Sequence, residues 1–121
     1  MGTFDYIPRA GGCVVSKNVI NGVAPVRWMV RHEPLNPMDN GWRVFSGIDT
    51  DEFIADPHNM AVVDYNTLCD IEPACIPVFA LPVGSDIQLI IDDEGRRRWF
   101  DSNSGDELLF QCAPGASGST P

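Results

Sequence analysis

Basic residues are scarce in this sequence: 8 Lys and Arg stand against 17 Asp and Glu, a formal net charge of −9. That balance makes nucleic acid and anionic membranes poor partners, because both repel an acidic chain. The shortage is local as well. Between Arg43 and Arg96 there is no Lys or Arg, while Asp49, Asp51, Glu52, Asp56, Asp64, Asp70, Glu72, Asp86, Asp92, Asp93 and Glu94 fall in that interval. Long apolar runs are also missing, and none approaches the roughly 20 residues needed to span a bilayer. Met1 to Arg9 lacks the basic-then-apolar pattern of a secretory signal, so a cytoplasmic location is expected.

Residues that carry chemistry are few. His32 and His58 are the only histidines, and neither sits in a metalloprotease, nucleophile-elbow or Cys-His signature. The four cysteines, Cys13, Cys69, Cys75 and Cys112, show no CxxC spacing. Reduced, buried thiols are therefore expected rather than a metal set or a disulfide. No glycine run follows a strand in the way a phosphate cradle requires. Asp49, Asp51 and Glu52 lie close together, but the remaining ligands of a calcium loop are absent. The expectation is a protein without catalytic residues, metal or cofactor.

What is present suits one globular domain. Hydrophobic residues make up 44% and charged residues 21% of the 121-residue chain, enough to bury a single core. Gly11 to Ser16 reads as a strand, with Ser16 capping a helical turn that ends at Gly22. Pro25 to His32 alternates as a strand, placing Val26, Trp28 and Val30 on one face and Arg27 and Arg31 on the other. Glu33 to Gly41 is a turn-rich loop, and Trp42 to Ser46 resumes as a strand. Thr50 or Asp49 can cap a short acidic helix carrying Phe53 and Ile54 inward. Asp56 to Asn59 forms a turn, Met60 to Tyr65 a strand, and Asn66 to Ile71 a helical segment. Pro73, Pro77 and Pro82 then forbid any long regular element. Asp86 to Ile91 and Arg96 to Asp101 form a hairpin about Asp92-Asp93-Glu94-Gly95. Leu108 to Cys112 offers a last strand. The expected organisation is an irregular lead-in over 1–10, an α+β domain over 11–112, mainly antiparallel sheet with short helices, and a flexible tail over 113–121.

Trp28, Trp42 and Trp99 all fall on predicted strands. Core packing is expected for at least two, and an exposed one would be a binding anchor. Arg96-Arg97-Arg98 is too short to imply nucleic-acid binding and suits a solvated strand edge.

One ordered pattern has a family character. It runs from Cys13-Val14-Val15-Ser16-Lys17 through Val26 to Pro34 (VRWMVRHEP). It continues with Asn40-Gly41-Trp42-Arg43-Val44-Phe45-Ser46-Gly47 and Phe53-Ile54-Ala55-Asp56-Pro57-His58-Asn59. Tyr65-Asn66-Thr67, Ile71-Glu72-Pro73 and Pro82-Val83-Gly84-Ser85 close it. This order, over roughly residues 12 to 90, resembles the bacterial immunity protein 33 domain family. Asn40 stands where family members usually carry Ser before the Gly-Trp pair. The resemblance implies a role in polymorphic toxin systems and interbacterial competition, as an inhibitor that binds a toxin. It supplies no catalytic residues.

The residues and the resemblance together predict an immunity protein that neutralises a cognate toxin or effector by covering a basic face. Asp49, Asp51, Glu52, Asp56, Asp92, Asp93 and Glu94 are the expected partner-binding residues, since an acidic surface steers a cationic partner. A regulatory or scaffold module without a toxin partner is the alternative. A small hydrolase-type enzyme would instead need a concave site gathering His32 or His58 with a carboxylate or cysteine.

Overall fold

Caps and prolines cut this chain into short elements. Ser16, Thr50 and Asp64 each accept a hydrogen bond from a backbone N–H at the start of a helix, closing orphan donors there. Pro57 and Pro73 each open a 3-10 turn, where a missing N–H is no loss. The computed structural model describes residues 6–110. In order these form β1 (Gly12–Ser16), α1 (Lys17–Ile20), β2 (Val26–Arg31), β3 (Asp39–Ser46), α2 (Asp51–Ala55), β4 (Met60–Asp64), α3 (Tyr65–Ile71), β5 (Asp86–Ile91), β6 (Arg97–Asp101) and β7 (Glu107–Leu108).

The strands make one seven-stranded sheet in the order β4-β1-β3-β2-β5-β6-β7. β1 and β3 run parallel, and the other neighbours pair antiparallel. The α+β class and its mainly antiparallel sheet follow the sequence expectation. The tail expected over 113–121, the lead-in's first five residues, and Gln111 and Cys112 of the expected last strand lie outside the described residues.

Several boundaries differ from the sequence reading, each for a local reason. β3 starts at Asp39 rather than Trp42, because Asp39 already pairs with Gly12 of β1. Gly41 sits inside this strand at φ +92, and a Cβ there would collide with the carbonyl oxygen of His32. Only glycine fits that position, which accounts physically for the Gly in the Gly-Trp pair. Tyr65 opens α3 instead of ending β4, since Asp64 caps the helix. The last strand is two residues long and starts at Glu107.

The largest difference is in β2. A bulge between Val26 and Trp28 shifts the register, so Met29 rather than Trp28 takes the core position after Val26. A one-residue shift reverses the facing of everything beyond it. Trp28 and Val30 therefore leave the face that simple alternation has them share with Val26, and Arg31 joins Val26 and Met29 on the core side.

The core lies on one side of the sheet. Val15, Val44, Met29 and Ile87 form a continuous cross-strand row, and all four are buried. Leu89 and Trp99 extend the core through the β5–β6 pair. α1 lays Val19 and α3 lays Tyr65, Leu68 and Cys69 against this side. The proline-rich stretch 72–85 completes the cover with Cys75 and Val78.

That stretch forms no strand, so its carbonyls need other donors. Core side chains supply them. The Trp99 indole donates to Ala74 O at 2.9 Å, the Tyr65 hydroxyl to Cys75 O at 2.7 Å, and the Trp42 indole to Phe79 O at 3.1 Å. Arg31 donates to Phe79 O and Leu81 O at 3.0 and 2.7 Å. Its guanidinium also lies 5.6 Å from the Trp42 ring centroid and 5.7 Å from that of Phe79. Two of the three tryptophans thus pack the core and tether its cover.

Candidate partner-binding surface

Alternation along each strand sends the other half of the side chains to the opposite face of the sheet. Neither α1 nor α3 reaches that side; among the described residues it is bordered by α2 and the loop before β3 and is otherwise open. Its side chains line up in two cross-strand rows. One runs Val62–Val14–Arg43–Val30–Asp86 from β4 to β5, and the second runs Phe45–Trp28–Gln88–Phe100–Glu107 from β3 to β7.

Most of the open face is apolar. Trp28 and Phe45 stack with ring centroids 5.1 Å apart, and Trp28 remains 37% exposed while Val62 is 79% exposed. Its polar groups are tied to one another. The Trp28 indole donates to Asp86 at 2.6 Å, and Arg27 donates to Gln88 at 2.6 Å. Arg98 pairs with Glu107 at 2.7 Å and lies 5.7 Å from the Phe100 ring centroid. Arg43 holds Asp39 at 2.9 Å. That guanidinium, with backbone N–H groups of Leu35 and Gly41, keeps the Asp39 carboxyl well below the ordinary carboxylate range against the opposing effect of burial.

Two clefts sit on this face and share Val14 and Val62. The larger, about 760 Å³, is bounded by Gly12, Val14, Arg43 and Val62 and by Leu35 and Met38 of the loop before β3. The smaller, about 370 Å³, lies beneath Ile54 and Ala55 of α2, with Pro57 and Met60. A continuous apolar trough results.

The seven acidic residues expected to bind a partner gather at one end of the sheet. β3 and β5 run in the same direction, so the turn after each, carrying 49–56 and 92–94, lies at the same end. Their occupations differ. Asp49 accepts from Asn18 Nδ2 at 2.7 Å and from the Ser46 hydroxyl and N–H at 2.7 and 2.8 Å. Burial pushes this carboxyl up, but those hydrogen bonds outweigh it and leave its pKa below the ordinary value. Asp92 organises the hairpin turn through the N–H groups of Glu94 and Arg96. Asp56 caps the Pro57–Asn59 turn and contacts His58, while Glu94 pairs with Arg96. Asp51, Glu52 and Asp93 are exposed and hold no side-chain bond or ion pair with other described residues. These three carboxylates are the ones free for a partner.

Elsewhere in the acidic interval, carboxylates are also in structural use. Buried Glu72 caps a turn and meets Arg97 at 3.1 Å. Asp70 accepts from Tyr6, and Asp64 caps α3. The run that is continuous in sequence is therefore not a continuous binding surface.

The structure also places the candidates for enzymatic chemistry. His32 follows β2 and His58 precedes β4, at opposite ends of the sheet, and both are exposed. They cannot share a site. Cys13, Cys69 and Cys75 are free and buried, and burial pushes the Cys13 and Cys69 thiols up to about 12. Such thiols stay protonated and unreactive. Among the described residues no helix is long and apolar enough to cross a membrane.

A family model for the immunity protein Imm33 domain matches residues 13–100, from β1 through most of β6. The chain belongs to this family. The match covers almost three quarters of the sequence and includes both rows of the open face except Glu107. Comparisons with curated proteins and with solved structures give no match. Within the immunity domain, Asn40 of the Gly-Trp signature accepts from the Trp42 N–H at 2.9 Å and donates to Ala10 O at 3.0 Å. Its amide thus does local work that a hydroxyl could do in part.

Exposed Trp28 is the tryptophan that strand alternation alone places on one face with Val26 and Val30. In the structure Arg31 takes the covered side instead, where its side chain donates to three carbonyls. Nothing in the spacing VRWMVR marks the bulge.

Proposed function

We propose that this chain is an immunity protein that binds a cognate toxin or effector in the cytoplasm and covers a basic face of it. Membership of the immunity protein family is the observation that carries the reading. The net charge of −9 and the free carboxylates Asp51, Glu52 and Asp93 at one end of the sheet support a cationic partner. Toxin domains that act on nucleic acid or nucleotides present basic clefts, and an acidic inhibitor complements them. In this reading Asp51, Glu52 and Asp93 steer the approach, Asp56 and Glu94 add to the field, and Asp49 and Asp92 hold the two turns in shape. Inhibition is steric and consumes no substrate.

The test is co-expression with the toxin encoded beside this gene, scoring survival and co-purification. Rescue together with a stable complex is expected. Association should also slow about tenfold or more between low and physiological salt, because exposed charges are screened beyond about 8 Å at 0.15 M. A chain that neither rescues growth nor co-purifies with that toxin overturns the reading.

A further inference from the structure

The acidic end offers attraction but little area for tight contact, and exposed charge pairs contribute little to affinity. The open face of the sheet offers the opposite. It has a stacked aromatic pair, Trp28 and Phe45, and an apolar trough over Val14 and Val62. We propose that this face is the docking surface, and that its occupant is a protein presenting an apolar projection framed by Lys and Arg. The inference rests on the reading of the chain as a toxin-binding protein and names the surface that does the binding.

Charge decides the occupant. On the face itself Arg27, Arg43 and Arg98 stand with Asp39, Asp86 and Glu107, and Arg9 and Asp64 line the larger cleft, so four guanidiniums meet four carboxylates. All but Arg9 hold a neighbour by a hydrogen bond, and no excess charge is left at the centre of the face. The unneutralised carboxylates Asp51 and Glu52 stand on α2, whose Ile54 and Ala55 overhang the trough. Asp93 stands on the hairpin at the same end. The surface is therefore largely apolar and charge-balanced in the middle, with three unpaired carboxylates along this rim and two more, Glu33 and Asp106, exposed at the opposite end. A second copy of this chain would bring two rims of like charge together, each on a molecule of charge −9. An anionic membrane meets the same repulsion. A basic protein partner meets attraction at the rim and loses water over the apolar centre.

Size is compatible with the same occupant. The larger cleft, about 760 Å³, falls in the volume range of ordinary ligand pockets and has room for an inserted side chain. Trp is the residue type most enriched among binding anchors, and here the indole N–H is already satisfied by Asp86, so the ring can be covered at no cost in lost hydrogen bonding.

The experiment measures binding of the toxin encoded beside this gene to wild-type protein and to three variants by surface plasmon resonance. Trp28→Ala is expected to weaken binding at least 30-fold, mostly through faster dissociation. Val62→Arg places a cation in an exposed position on the trough and is expected to weaken it at least 10-fold. Ile71→Arg, on α3 at the covered side and 42% exposed, is expected to leave it within twofold. Far-ultraviolet circular dichroism and thermal melts confirm that each variant is folded, and Val62→Arg carries the test if Trp28→Ala is not. Wild type that binds while the folded Trp28 and Val62 variants bind equally well overturns this inference and leaves the proposed function standing. Wild type that fails to bind overturns both. Concentration-dependent dimerisation abolished by Val62→Arg, with toxin binding unaffected, would assign the face to a second copy and overturn the inference.

Discussion

The two faces of one sheet are built to opposite rules. On the covered face five of the seven strands, β1, β2, β3, β5 and β6, contribute buried side chains, and the irregular 72–85 stretch is pinned by five hydrogen bonds from Trp99, Tyr65, Trp42 and Arg31. On the open face the side chains are equally apolar in places, yet nothing among α1, α3 and the 72–85 stretch covers them. Stability is concentrated on one side, and the other is left available. An antiparallel sheet can leave one face to water only if that face is polar or is meant to be covered by something else. With Trp28, Phe45, Val14 and Val62 on it, the proposed docking surface is the second case.

The contrast breaks most visibly under truncation. Leu68 of α3 is fully buried against the covered face. Leu68→Ala should destabilise the protein by about 2–5 kcal/mol, the sum of lost transfer energy and a residual cavity. Urea denaturation reads this directly as a fall in midpoint at constant slope. A loss below about 1 kcal/mol would mean that α3 is not a packed part of the core.

Much of this organisation is legible in the sequence, and the illegible part has one cause. The strands over 12–16, 86–91 and 97–101 and the hairpin turn at Asp92 follow from alternation and turn residues, which act over a few neighbours. The cap at Thr50 and the barrier set by Pro73, Pro77 and Pro82 are equally local. The facing of β2 is not. Its bulge is stabilised by contacts distant in sequence, Arg31 with the carbonyls of Phe79 and Leu81, and Trp28 with Asp86. The start of β3 likewise depends on Asp39 finding Gly12, 27 positions away. For the candidate site, the acidic residues could be named from charge alone, but charge cannot separate a carboxylate that caps a turn from one that is free. Asp49 and Asp51 look alike in sequence; the first has three hydrogen bonds and the second none to described side chains.

That pair gives the intermediate test. Asp49 bridges Asn18 after β1 and Ser46 at the end of β3, tying the covered side's first helix to the acidic end. Asp49→Asn should cost about 1.5–3 kcal/mol at neutral pH, the range for hydrogen bonds to a charged group, whereas Asp51→Asn should cost nothing measurable. The sign with pH follows from the direction of the shift. A carboxyl whose folded-state pKa is lowered adds stability that is fully present above the unfolded value of about 3.9, and loses it as pH falls through the folded value. The gap between wild type and Asp49→Asn should therefore be widest at neutral pH and narrow below about 4. A gap that is constant across this range would place the effect of the substitution in packing rather than in the charge.

The smallest expected effect is the most informative about the open face. Val62 is apolar, sits on the edge strand β4, and is 79% exposed. If the face is free in the isolated protein, Val62→Ser removes little that folding had buried. Its stability should change by about 0.5 kcal/mol or less, the usual range for surface substitutions. An apolar residue that contributes so little to folding gives the monomer nothing and leaves its edge strand prone to association. The same substitution should then act on the complex, where the side chain is covered, and toxin binding should weaken while the melt stays still. A drop in thermal midpoint of several degrees would instead mean that another part of this chain covers Val62, and the two faces would no longer differ in kind.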